Sequence, residues 1–72
     1  MTLDEAIEKR NELQLQAEST ENGTLCWSKL GVANRHIARC CETPQTFPWV
    51  PAVEAEVARC FSEVEQWLAT PK

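Results

Sequence analysis

"KLGVANRHIARCC" (29–41) is the stretch on which the fold turns. Carried back to Cys26, it places apolar residues at Cys26, Leu30, Ala33, Ile37 and Cys40. Steps of four, three, four and three put all five on one side of an α-helix. Gly31 argues the other way. An interior helical glycine costs about 1 kcal/mol relative to alanine, and glycine accepts the positive φ of a tight turn. The stretch is therefore one continuous helix, or two shorter helices hinged at Gly31. Its charge is also unusual. Asn22 to Cys41 contains Lys29, Arg35 and Arg39 and no acid, a local charge of +3. The rest of the chain has the other four basic residues and all eleven acidic ones, or -7, and the whole is -4.

A helix on each side completes the pattern. Thr2 and Glu5 have the spacing of a capping box, and Asp4 and Glu5 suit the positive end of a helix dipole. Leu3, Ala6, Ile7, Leu13 and Ala17 then form a narrow stripe, interrupted by Arg10. This predicts a first helix that fades near Ala17. "ESTENGT" (18–24) reads as a loop, because Asn22-Gly23 favours a turn. "ETPQTFPWVP" (42–51), with three prolines, reads as a connector. A third helix is expected to begin between Pro48 and Pro51, since proline is tolerated in a first turn. Val53, Val57, Cys60, Val64 and Trp67 repeat the four-three spacing, widened by Phe61 and Leu68. The expected fold is all-α: one small domain over residues 1–72, with three to four helices. Its expected core is Leu30, Ile37, Val53, Val57, Val64, Trp67 and Leu68.

Seventy-two residues bury only about 60% of their unfolded surface, so stability is scarce. A hydrophobic fraction of 43% with 25% charged residues suits a folded globular domain. No apolar run approaches the roughly 20 residues of a membrane span. "MTLDEAIEKR" lacks the apolar centre of a signal peptide, so a reducing cytoplasm is the expected location. There Cys26, Cys40, Cys41 and Cys60 are expected as free thiols. Cys40 and Cys41 are neighbours and cannot both face one core, so one of them is expected to be exposed. Cys26, His36, Cys40 and Cys60 are metal-ligand residue types, but no CxxC pair is present. No metal or cofactor is therefore assigned. His36 is the single histidine, with neither nucleophile nor orienting group beside it. No catalytic residue is assigned and an enzyme is not expected.

"KLGVANRHIAR" resembles the turn and second helix of phage Cro- and repressor-type helix-turn-helix proteins. Gly31 stands where that family turns. Leu30 and Val32 flank it, and Ile37 and Cys40 anchor the second helix. The resemblance implies a small regulator, of phage or mobile-element type, that binds a double-stranded DNA operator. Lys29, Asn34, Arg35, His36 and Arg39 would be its DNA-contacting residues. A homodimer is also expected, because so small a chain rarely buries its whole apolar stripe and helix-turn-helix proteins pair to match two half-sites; helix 3 is the expected contact. The likeness departs at Trp27, where the family usually has alanine at a close helix crossing.

A second reading takes the chain as a small acidic helical protein that binds and inhibits a host protein. Its supports are the acidic remainder, three tryptophans in a short chain, and the aromatic residues of the proline-rich connector. Phe47 and Trp49 are the partner-binding candidates on this reading, since aromatic and arginine side chains dominate binding interfaces.

Overall fold

Thr2 opens the first helix with both halves of a capping box. Its Oγ1 accepts from the backbone N–H of Glu5 at 3.2 Å, and its own N–H donates to Glu5 Oε1 at 2.7 Å. These bonds satisfy donors that a helix start leaves unpaired. A computed structural model describes residues 1–20 and 23–69 of the chain. The described residues form three helices: α1 (Leu3–Ala17), α2 (Gly23–Glu42) and α3 (Pro51–Ala69). Of the expected turn, Asn22 lies outside the described residues, and so do Glu21 and residues 70–72. Gly23 and Thr24, expected in the loop, already belong to α2.

The hinge at Gly31 is not formed. Helix α2 runs unbroken from Gly23 to Glu42, and no described glycine has a positive φ. The reason is energetic. Leu30, Ala33, Ile37 and Cys40 are buried on one face only if the helix continues. Full burial of one leucine or isoleucine contributes roughly 1.5–3 kcal/mol, which exceeds the cost of one glycine.

The helices pack up-down-up. Lys9 on α1 meets Glu65 on α3 at 3.0 Å, and Lys29 on α2 meets Glu63 on α3 at 2.8 Å. Trp49, just before α3, donates from Nε1 to the Met1 carbonyl at 3.1 Å. Helices α1 and α3 therefore run parallel, with α2 antiparallel between them. The bundle measures 43 × 18 × 17 Å.

Small side chains make up half of the core. Ala6, Ala17, Ala33, Cys26, Cys40 and Cys60 are buried beside Leu13, Leu30, Ile37, Val57, Phe61 and Val64. Of the expected core, Val53, Trp67 and Leu68 are only partly buried against this cluster, and Phe61 is inside it. The α3 stripe closes on the chain's own core, and no large apolar side chain of α3 is exposed among the described residues. A dimer through α3 would have little apolar surface to bury.

The connector is ordered by local bonds. Thr43 donates from both its backbone N–H and its hydroxyl to the Arg39 carbonyl, and Phe47 N–H donates to Thr43 O at 2.8 Å. The bond from Glu54 N–H to Val50 O then starts α3. Pro51 sits at its first position, where the absent N–H costs nothing.

Candidate functional site

The buried stripe of α2 defines its opposite, solvent-facing side. Leu25 is 52% exposed, Trp27 41% and Val32 40%, and Gly31, Arg35 and Arg39 are exposed with them. From Gly23 to Cys41 this side carries no carboxylate. Leu25, Val32 and Arg39 recur every seven residues and so fall in one line along the helix. Trp27, Gly31 and Arg35 recur every four and form a second line beside it. Leu25, Trp27 and Val32 were not among the sequence candidates. Their signal was present: all three fall out of phase with the Cys26–Cys40 stripe.

Gly31 is exposed, and a methyl group added there would meet nothing within 4 Å. No packing within the chain requires this glycine. Its effect is to lower the surface between Trp27 and Arg35, so that the α2 backbone can be approached from outside.

Of the five expected DNA contacts, Arg35 and Arg39 are exposed and Lys29, Asn34 and His36 are half-buried. Lys29 is bound to Glu63 at 2.8 Å, and that carboxylate raises the ammonium's pKa. Asn34 is half-buried, with Oδ1 shielded from solvent and no hydrogen-bond partner among the described residues. His36 is half-buried and faces the connector. Arg39 is exposed but lies over the Phe47 ring, its guanidinium carbon 5.3 Å from the centroid. Arg35 is exposed, in no ion pair with a described residue. Continuous through Gly31, the motif presents no separate recognition helix.

His36 and Arg39 instead join the connector around a cleft of about 330 Å³. Phe47, Pro48, Val50 and Val53 form its apolar walls, and Cys40 and Thr46 also line it. Phe47, expected to contact a partner, is 43% exposed on this wall. Trp49, its companion candidate, is not: it is half-buried against the core and its N–H is bonded to Met1.

The four cysteines are free thiols. Cys26, Cys40 and Cys60 are buried, and burial pushes all three thiols up from their ordinary pKa. Cys41, next to Cys40, is the exposed one. No group of three or more histidine, cysteine or acidic residues suited to a metal ion occurs among the described residues, and no described helix is long and apolar enough to cross a membrane.

No protein-family model matches the chain, and the curated proteins and solved structures likewise contain no match.

Proposed function

We propose that this protein is a small helical binding domain that engages another protein through the exposed side of α2. One observation carries the reading: in a chain of net charge -4, α2 turns outward a carboxylate-free face with Leu25, Trp27, Val32, Arg35 and Arg39. Tryptophan and arginine are the side chains that most often dominate binding energy, and charged acids are depleted at interface centres. Gly31 supports the same reading, because its flat position costs helix stability and no internal contact repays it.

A duplex-reading role has the segregated charge in its favour and little else. With Lys29 held by Glu63, Arg35 and Arg39 are the two of the three cations exposed to solvent. Tight operator binding needs many more phosphate contacts.

The test pairs protein capture from cells of the source organism with selection on its genomic duplex DNA. The native protein and the Trp27→Ala and Arg35→Glu variants are compared at matched folding, checked by thermal melting. The reading predicts one protein held by the native chain and lost with either variant, and no enriched DNA sequence. An enriched operator whose binding depends on Arg35, or a protein retained equally by all three chains, would contradict it.

A further inference from the structure

We infer that the cleft between the C-terminal half of α2 and the connector receives an apolar side chain flanked by a carboxylate, within an acidic segment of the partner protein. The inference rests on the protein-binding reading and assigns the partner's chemistry at one end of the α2 face.

The geometry is two-part. Phe47, Pro48, Val50 and Val53 give the cleft an apolar lining, and its volume of about 330 Å³ suits a single large side chain. Arg39 and His36 supply N–H donors at the α2 side, and none of the lining residues is acidic. Elsewhere the chain carries eleven acidic residues, so a cleft lined only by apolar, basic and neutral polar groups is complementary to negative charge. Arginine also presents a planar fork that matches a carboxylate bidentately. The guanidinium is already positioned by stacking on Phe47 at 5.3 Å, so less side-chain freedom is lost when an anion docks. The Thr43 N–H and hydroxyl bonds to the Arg39 carbonyl join the backbone of Arg39 to the connector. Apolar wall and cationic rim are thus tied together through Thr43.

The line of Leu25, Val32 and Arg39 leads along α2 toward this cleft. A bound segment would therefore lie along α2 and end with its acidic residue at Arg39.

The probe is 3-phenylpropionate, titrated into the full-length protein and followed by two-dimensional amide NMR. Its uncharged counterpart 3-phenylpropanol and its cationic counterpart 3-phenylpropylamine are titrated in parallel. We expect the carboxylate to shift the amides of His36, Arg39, Thr46 and Phe47, with millimolar affinity as befits a fragment. The alcohol should bind at least about five-fold more weakly, and the amine not at all, since one lost charge-assisted bond removes that much or more. Arg39→Gln should reduce the preference for acid over alcohol to near unity. Phe47→Ala should weaken acid and alcohol alike. Both positions are exposed, and thermal melting checks that each variant is folded. Equal binding of acid and alcohol to the native protein, or shifts confined to other parts of the bundle, would overturn the inference. Because no partner protein is used, such a failure would leave capture through Trp27 and Arg35 standing, and loss of that capture would leave a positive titration standing.

Discussion

Gly23 meets Ala17 with no space between them: a methyl group at Gly23 would stand 2.7 Å from the Ala17 carbonyl oxygen. The obstacle is backbone, so relief requires moving the start of α2 away from the end of α1. Gly31 is the opposite case, with nothing within 4 Å of an added methyl. Gly23→Ala should destabilise the domain by about 1–3 kcal/mol, the usual range for overpacking. Gly31→Ala should stabilise it by about 1 kcal/mol, or about 4–8 °C in melting temperature for a domain of this size. A turn at Gly31 would make Gly31→Ala destabilising, so thermal melts of both variants check the continuity of α2 directly.

Ile37 is 1% exposed and belongs to the central cluster. Ile37→Ala should cost about 2–5 kcal/mol, enough to unfold much of a marginal domain. A denaturant titration with an unchanged midpoint would show that this face of α2 is misassigned.

The Thr2 cap predicts a smaller loss. Thr2→Ala removes the acceptor for the Glu5 N–H and should cost about 1 kcal/mol. Thr2→Ser, which keeps the oxygen, should recover most of it in the same assay.

Stability should fall at alkaline pH. The folded thiols of Cys26, Cys40 and Cys60 have raised pKa values because burial disfavours the thiolate. The unfolded state therefore releases its thiol protons first, at about pH 8.5. Below that pH the thiols are neutral in both states and their linkage contribution is flat. As pH rises past it, the unfolded state is favoured. Lys29 acts in the same direction at higher pH: its raised pKa means its stabilising pair with Glu63 is lost as pH climbs through the folded value. Denaturant midpoints between pH 7 and 10 should decline, and Cys26→Ala should make the decline shallower. A flat profile would show that the thiols are reachable by water.

Much of this architecture was legible in the sequence. The Thr2–Glu5 box, the α1 end at Ala17 and the buried stripes of α2 and α3 follow from spacing alone. Position 31 was ambiguous because a glycine reads identically as a hinge and as a notch in a helix. The unbroken run of α2 from Gly23 to Glu42, with no positive φ at any described glycine, decides between them. The site was less legible. Lys29 looked available until Glu63, thirty-four residues away, was brought to 2.8 Å, and no local pattern announces such a pairing. Phe47 was found as a candidate from its connector setting, and the structure adds that it shares a cleft with His36 and Arg39. Trp49 had the same setting but a free indole N–H, which the Met1 carbonyl takes up.

The central claim is that the exposed side of α2 is where a partner protein docks. The most direct measurement places a benzoylphenylalanine photo-crosslinker at Val32, on that side, and separately at Ser62, exposed on α3. Each chain is irradiated in cells of the source organism and its adducts are identified by mass spectrometry. The account predicts a discrete protein adduct from position 32 that is absent from position 62. Crosslinking from position 62 and not 32, or adducts from position 32 that consist of duplex DNA, would contradict it.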